Sequence, residues 1–257
     1  MPSITLFDDG THRNHLLEDF GHGEMIQANQ HLIVHGGAGM ILDPGGHKVF
    51  NRALSETTAL LARGTLRLIF FSHQDPDIVS AANGWLMTTD ATAYASALWL
   101  RFIPHFGLDR LVADRLRPIP DEGMTLDLNG CELVLLPAHF LHSPGNFQVW
   151  DPVSRILYSG DLGASLEVDY TEVPDFDSHV AHMEGFHRRY MSGGRAMRAW
   201  ARMARTLPIE TIAPQHGAFF RGRAMVERFL DWAEALPCGV DLLPESWTVP
   251  GARGQGA

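Results

Sequence analysis

Histidine and aspartate side chains recur in this sequence directly after apolar segments. One apolar segment is followed at positions 73–77 by HQDPD, and three later segments are followed by His139 and His142, by Asp161 and by His216. Imidazole nitrogens and carboxylate oxygens together suit zinc, manganese and iron. A single histidine in such a place is more often structural or solvated. The recurrence of these residue types after several segments indicates a shared metal site.

The apolar segments predict the strands that would position these side chains. They are LRLIFFSH at 66–73, CELVLLPAH at 131–139, SRILYSGD at 154–161 and IETIAPQHG at 209–217. A continuous apolar run is typical of a strand that is buried on both faces. Because α/β sheets place their sites at the carboxyl ends of strands, we expect the polar residues that end these runs to lie close together.

Helical patterns separate the predicted strands. Residues 30–45 predict a Gly-rich hairpin, and residues 47–63 predict a helix that ends at Gly64. Pro76 suits the first turn of a further helix. Residues 179–207 predict a long helix with an apolar stripe that is interrupted by the SGG sequence, and such a stripe usually packs in the core. The stripe consists of Met183, Phe186, Tyr190, Met197, Trp200 and Met203.

The alternation of strands and helices predicts the domain organisation. It indicates an α/β fold with one domain over residues 1–243. Residues 244–257 show no periodicity and are predicted to be a flexible tail.

The composition restricts the class of protein. The chain has 257 residues, and a hydrophobic content of 45% allows a sizeable core. A formal net charge of −10 argues against nucleic acid or an anionic membrane as the partner. Two isolated cysteines, Cys131 and Cys238, favour reduced thiols. There is no signal-peptide pattern and no apolar run of about 18 residues, so we expect a cytoplasmic protein without a membrane span.

The order of these motifs resembles a known family. The sequence contains the pattern H-x-[DE]-x-D, followed by a distant histidine, an aspartate and a histidine before glycine. This order of motifs resembles that of the metallo-β-lactamase superfamily. Within it, LHSPGNFQVWDPVSRILYSGD at 141–161 and TIAPQHG at 211–217 resemble the di-iron branch, namely the flavodiiron proteins and the oxygen-binding di-iron proteins. The resemblance covers about residues 12–235. It implies the four-layer αββα sandwich of that superfamily.

The resemblance also implies a set of six metal ligands. One metal takes His73, Asp75 and His142, the other takes Asp77 and His216, and Asp161 bridges both.

Two positions depart from the family pattern. The family usually has glutamate at the position of Asp75 and histidine at the position of Ile78. The second metal would therefore lack one imidazole, which leaves either an open coordination position or a substitute ligand. The candidates for the substitute are His139, His182 and Glu184, although each is more often a supporting or structural residue.

The implied function is the binding of a diatomic molecule. Anionic oxygen ligands favour iron, although zinc and manganese also accept this set. An open position on a di-iron centre suits O2 or NO, in a sensor or carrier or in a flavin-free reductase. No flavin domain is recognisable, so turnover would need an external reductase. The segment HMEGFHRRYM at 182–191 resembles the oxygen-binding proteins, which are associated with sensing. A signalling partner is therefore also expected, and a homodimer is compatible with the resemblance.

Two other classes remain open from the sequence alone. A two-metal site can also activate a bridging hydroxide, which would make the protein a hydrolase of a lactone, thioester or phosphodiester. A binding protein that has lost the metal is the third class, and the complete set of histidine and aspartate residues argues against it.

Overall fold

A computed structural model describes residues 3–17, 20 and 25–250. It contains two β-sheets. The first sheet has seven strands in chain order: β1 Ile4–Asp8, β2 His12–Leu16, β3 His31–His35, β4 Ala38–Leu42, β5 Thr65–Phe70, β6 Thr92–Ser96 and β7 Leu116–Ile119. The second sheet is built from β8 Met124–Leu128, β9 Cys131–Pro137, β10 Phe147–Asp151, β11 Ile156–Gly160, β12 Thr211–Pro214 and β13 Phe220–Arg221. Its strand order is β13-β12-β11-β10-β9-β8.

The helices follow the sheets in two groups. The first group is α1 Phe50–Leu61, α2 Pro76–Val79 and α3 Ala82–Thr88, and the second is α4 Phe176–Tyr190, α5 Gly194–Ala204 and α6 Arg223–Ala235. Short 3-10 helices occur at Ile103–Phe106, Ala113–Arg115 and Val240–Leu242.

Three apolar clusters define the layers. One cluster contains side chains of both sheets, including Phe70 of β5 and Phe147 of β10, and therefore fills the space between them. A second joins the first sheet to α1 and α3 through residues such as Trp85. The third joins the second sheet to α4, α5 and α6 through residues such as Phe229. The order is thus helices, sheet, sheet, helices, which confirms the predicted four-layer αββα sandwich.

Strand direction brings several loops to one end of the sandwich. Strands β11 and β12 are parallel, and Gly160 pairs with Pro214, so the residues that follow both strands are neighbours. The loop after β5 meets the loop before β10, where the Phe147 amide donates to the Ser72 carbonyl. These contacts collect the predicted site loops of both sheets at a single edge.

The predicted local elements are mostly present. The hairpin of β3 and β4 turns at Gly36 and Gly37, whose φ angles of 53° and 85° are suited to a two-residue turn. The predicted first helix corresponds to α1. Pro76 is the first residue of α2, where the missing amide hydrogen has no cost.

The helical stretch predicted over 179–207 divides close to its SGG sequence. The chain forms two helices, α4 and α5, and α4 begins earlier because Asp175 caps it by accepting a hydrogen bond from the Ser178 amide. The break at 191–193 has a structural cause. The Ser192 amide donates to the Phe140 carbonyl, and the Val240 amide donates to the Ser192 carbonyl. The backbone between the helices therefore pairs with two other loops instead of continuing the helix.

The domain boundaries stay a prediction. Residues 244–250 are exposed and belong to no helix or strand. Residues 251–257 of the predicted tail, and residues 1–2 of the predicted domain, lie outside the described residues. Among the described helices, none has the length and apolar character that a bilayer crossing requires.

Candidate metal centre

Four loops of the sandwich deliver the predicted ligands to one place. His73 follows β5, and Asp75 and Asp77 stand at the start of α2, with Asp75 as its N-cap. The second sheet supplies the remaining residues. His142 lies between β9 and β10, Asp161 follows β11, and His216 follows β12. These six residues are called the Asp161 cluster below.

Asp161 lies at the centre of this cluster. Its Oδ2 is 3.0 Å from Nε2 of His142 and 3.8 Å from Nε2 of His73. Its Oδ1 is 3.4 Å from Nε2 of His216. The Asp161 side chain is almost fully buried, with 6% exposed. One oxygen of the Asp161 carboxylate thus faces His73 and His142, and the other faces His216.

The other two carboxylates divide between these groups. Asp75 Oδ2 lies 3.6 Å from Nε2 of His73 and 3.5 Å from Nε2 of His142. Asp77 Oδ2 lies 3.6 Å from Nε2 of His216. The structure therefore forms a larger group around Asp161 Oδ2 and a smaller one around Asp161 Oδ1.

The histidines and carboxylates of the cluster shift one another's pKa values. Burial alone would raise the pKa of Asp161, but the charge of His73 and the hydrogen bonds of the other two histidines hold that pKa well below its usual range. Burial alone would lower the pKa of His142 and His216. The hydrogen bonds and charge of Asp161, with help from Asp75 or Asp77, outweigh burial and raise these pKa values to about 10 and about 9. The site therefore favours positive charge between its carboxylates.

Hydrogen bonds orient two of the imidazole rings. His216 donates from Nδ1 to the Gln27 carbonyl at 2.6 Å, which leaves Nε2 free to face the cluster. His73 Nδ1 lies 2.9 Å from Oγ of Ser72, and the Ser72 amide donates to Oδ1 of Asp43 at 2.7 Å. Such partners on the far nitrogen are typical of metal-binding histidines, because they fix the ring and its tautomer.

The donor set fits a pair of metal ions. Among the described residues, Asp161 Oδ1 accepts no hydrogen bond of normal geometry, although Nε2 of His216 is 3.4 Å away. A buried carboxylate oxygen without a donor is costly, and a cation would satisfy it. His73, His142 and Asp161 also form a group whose ligand atoms lie within 4.8 Å of one another.

Aromatic side chains of α4 cover one side of the cluster. The ring centroid of His142 lies 5.9 Å from that of Tyr190 and 6.4 Å from that of Phe186. Phe186 and Tyr190 stack on each other at 4.7 Å. Tyr190 is 56% exposed, so it does not belong to the core that the apolar stripe predicts. Tyr190 instead lies against His142, whereas Phe186 both contacts His142 and packs against the apolar cluster between the second sheet and its helices.

The three candidate substitutes point elsewhere. His139 bonds through Nε2 to the Asp121 carbonyl at 2.8 Å. His182 bonds through Nδ1 to the Leu166 carbonyl at 3.1 Å, and Glu184 pairs with Arg188.

Ile78 is also turned away from the carboxylates. It is fully buried and belongs to the apolar cluster between the first sheet and α1 and α3. The residue that replaces the expected histidine thus contributes to the core.

Sequence reasoning missed several supporting residues of the site. Asp43 follows β4, and burial raises its pKa to about 6 although the hydrogen bond of the Ser72 amide opposes this. Gln27 accepts from His216 through its carbonyl. Gln215 donates to Asp77 at 3.2 Å. Ser72 and Gln215 directly precede predicted ligands, which is a signal that could have found them, whereas Gln27 and Asp43 carry no such signal.

Comparison with known proteins agrees with this fold. A model of the family described as "ODP family beta lactamase" matches residues 26–217. The chain belongs to the ODP family. It is 40% identical to the chemotaxis sensor ODP in a structure described as a peroxy diiron species, with a TM-score of 0.84 and coverage of 94% of this chain and 98% of that one. The apo state of the chemotaxis sensor ODP from T. denticola is also 40% identical, with a TM-score of 0.82 and coverage of 93% and 97%.

The wider fold relatives of this ODP family member are flavo di-iron proteins. A variant of the flavo di-iron protein from Thermotoga maritima is 17% identical, with a TM-score of 0.73 and coverage of 90% of this chain and 61% of that one. At this identity the likeness shows the fold, and it agrees with the predicted superfamily. The search of curated proteins gave no match.

Proposed function

We propose that this protein binds two iron ions in the Asp161 cluster and senses or carries a diatomic molecule, O2 or NO. The observation that carries the proposal is the position of Asp161. One of its oxygens faces His73 and His142, and the other faces His216. A buried carboxylate with histidines on both sides is suited to bridging two cations.

The chain's own residues would divide between the two ions. His73, Asp75 and His142 would hold the first ion together with Asp161 Oδ2, and Asp77 and His216 would hold the second together with Asp161 Oδ1. Three carboxylates beside three imidazoles favour iron over zinc, because anionic oxygen ligands stabilise the harder, more highly charged ion. The second group has fewer protein ligands, so it has room for an external molecule.

When bound, a ferrous pair supplies the electrons and the open coordination position that the binding of O2 or NO needs. The protein contributes the surroundings. Phe186 and Tyr190 lie against His142. The apolar Ile78 directly after Asp77 provides no group that could deliver a proton. The lack of a proton donor at this position favours reversible or long-lived binding over rapid reduction.

Sensing is favoured over turnover by the identity of the relatives. The two structures of the chemotaxis sensor ODP are each 40% identical to this chain, and the likeness to the flavo di-iron proteins concerns the fold alone. A signalling protein is therefore the first expected partner. An external reductase is the expected partner if the protein reduces its ligand.

The test is absorption spectroscopy on the full chain. The protein is loaded with ferrous iron without oxygen and then mixed with O2. We expect an O2-dependent absorption band that His142→Ala abolishes. His139→Ala is the matched control, because His139 lies three residues away and bonds to Asp121 instead of Asp161. It should retain the band.

The opposite result would support a hydrolase. Iron-loaded protein without an O2-dependent band, together with efficient hydrolysis of a lactone, thioester or phosphodiester by the zinc form, would overturn the proposed function.

A further inference from the structure

A second group of metal-ligating side chains lies at the other end of the sandwich. His12 begins β2, His35 ends β3, and the two residues pair across the strands. Cys131 begins β9 in the second sheet. One nitrogen of each histidine and Sγ of Cys131 lie within 4.8 Å of one another. These three residues are called the His12 cluster.

The His12 cluster is separate from the Asp161 cluster. Asp151, which contacts His12, pairs with Ile156 at the first residue of β11. Asp161 follows the last residue of the same strand. The five residue steps from Ile156 to Asp161, at a rise of about 3.3 Å each, place these two positions roughly 16 Å apart. No residue is shared between the clusters.

A buried carboxylate fixes the orientation of His12. Nε2 of His12 lies 2.7 Å from Oδ2 of Asp151, and neither side chain is exposed. Asp151 Oδ2 also accepts hydrogen bonds from Nδ2 of Asn14 at 2.7 Å and from Oγ of Ser154 at 2.6 Å. Its Oδ1 accepts from the Val153 amide at 3.0 Å. A histidine whose far nitrogen donates to a fixed carboxylate is the usual arrangement at a metal site, since the carboxylate sets the tautomer and strengthens the ligand.

The other nitrogen of His12 faces a second imidazole. Nδ1 of His12 and Nδ1 of His35 are 3.1 Å apart. Two ring nitrogens at this distance need a proton or a cation between them, because unprotonated ring nitrogens are both acceptors. Tetrahedral bonds of about 2.0–2.1 Å from zinc to imidazole nitrogen would separate the two nitrogens by about 3.3 Å. The observed spacing is close to that value.

The local electrostatics also favour a cation. The Asp151 carboxylate, 2.7 Å from Nε2 of His12 and without solvent exposure, places negative charge beside the cluster. Positive charge is thus stabilised in a place where water has little access. His35 is half-buried, which gives the cluster an edge that faces solvent.

We propose that His12, His35 and Cys131 bind one zinc ion, with Asp151 orienting His12 and with the fourth coordination position open to solvent beside His35. One thiolate and two imidazoles are ligands that zinc prefers. The histidines belong to the first sheet and the cysteine to the second, so the ion ties the two sheets together at the end opposite the Asp161 cluster.

Cobalt is a sensitive probe of this site. Cobalt(II) bound by a thiolate has a charge-transfer band in the near ultraviolet, and the Asp161 cluster contains no cysteine that could produce one. With the full chain, we expect a thiolate band whose intensity corresponds to one cobalt–thiolate centre per chain, whatever cobalt the Asp161 cluster also binds, and which disappears when Zn²⁺ is added. Cys131→Ser should abolish the band. Cys238→Ser is the matched control, because Cys238 is the other buried cysteine but packs with the helices of the second sheet, and it should leave the band unchanged.

Two further measurements distinguish loss of the metal site from misfolding of a variant. Asp151→Asn, checked for folding by circular dichroism, should weaken cobalt binding by about 10–100-fold, as the loss of an outer carboxylate does at other metal sites. In the unmodified chain, Zn²⁺ should slow alkylation of Cys131, identified by peptide mapping, relative to metal-free protein. A folded parent without a thiolate band, a band that persists in Cys131→Ser, or alkylation of Cys131 that is insensitive to zinc would overturn the proposal. The cluster would then be a hydrogen-bonded His12–Asp151 pair only.

Discussion

At the scale of single residues, Asp161 has the central place in the proposed metal site. Its position directly after a predicted strand indicated a metal ligand from the sequence alone. The positions of His73, His142 and His216 after predicted strands gave the same indication. The sequence could not show that the two oxygens of Asp161 face different histidines, because that arrangement depends on how the loops of the two sheets meet. The supporting contacts from Asp43 and Gln27 were also beyond prediction, since their side chains or carbonyls approach from segments without a metal-binding pattern.

Ile78 allows a test of the open position at the second ion. Ile78→His should lower the melting temperature of the metal-free protein, because an imidazole in this apolar cluster lacks partners, at a cost of about 1–3 kcal/mol. We expect iron to raise the melting temperature more in Ile78→His than in the parent, since the new imidazole can leave the apolar cluster and bind the second ion.

The control for this variant is Ile78→Leu. It keeps the side-chain volume and should cost less than about 1.5 kcal/mol. Thermal unfolding with and without iron measures both effects. Equal iron-induced shifts in the parent, Ile78→Leu and Ile78→His would show that position 78 has no access to the ion.

At the scale of elements, tight turns at the strand ends hold the ligands. Gly217 directly follows His216 and has a φ of 76°. A Cβ at this position would lie 2.0 Å from Oγ and 2.4 Å from the carbonyl oxygen of Ser165. The Ser165 amide in turn donates to the His216 carbonyl. The loop after β11 and the loop after β12 therefore fit together only with glycine here.

Gly217→Ala should displace His216 and weaken metal binding. Gly222→Ala is the matched control, because Gly222 also has a positive φ, of 92°, but a Cβ there meets nothing within 4 Å. Both variants should lose about 1–2 kcal/mol of stability from backbone strain. Only Gly217→Ala should also lower the iron content after loading, measured by elemental analysis. A full iron content in Gly217→Ala would show that the loop tolerates a shift without loss of the site.

Elements with a clear pattern were predictable, and those defined by long-range contacts were not. The hairpin at Gly36 and Gly37 and the strand β5 follow from turn residues and apolar runs. The SGG sequence indicated a break between α4 and α5, but the hydrogen bonds that hold the break to Phe140 and Val240 could not be predicted, because these residues are distant in sequence. The same helix α4 brings Phe186 and Tyr190 onto His142, a contact that the apolar stripe alone could not distinguish from core packing.

At the scale of the whole molecule, the four-layer sandwich was predictable because the motifs resemble a superfamily with that fold. Because the site is formed by loops of both sheets, the protonation of its histidines affects the free energy of unfolding. In the metal-free protein, His142 and His216 have pKa values of about 10 and about 9, above the ordinary value of 6.5. Between pH 6.5 and these values the folded state binds more protons than the unfolded state.

The free energy of unfolding of the metal-free protein should therefore fall as pH rises from about 6.5 through 9 to 10. Iron replaces these protons, so the iron-loaded protein should lose less stability over the same range. His12, whose pKa Asp151 helps to raise to about 9, titrates in this window in both forms, so the difference between the forms isolates the Asp161 cluster. Denaturant unfolding across the pH range measures both curves. Parallel curves for the two forms would contradict the coupling.

Anomalous diffraction at the iron edge, from crystals of the iron-loaded protein, shows directly whether Asp161 bridges two iron ions. We expect two iron ions per chain about 3.5–4 Å apart. His73, Asp75 and His142 should bind one ion, Asp77 and His216 the other, and Asp161 both. A single iron per chain, or a pair in which Asp161 contacts neither ion, would contradict the proposed metal site.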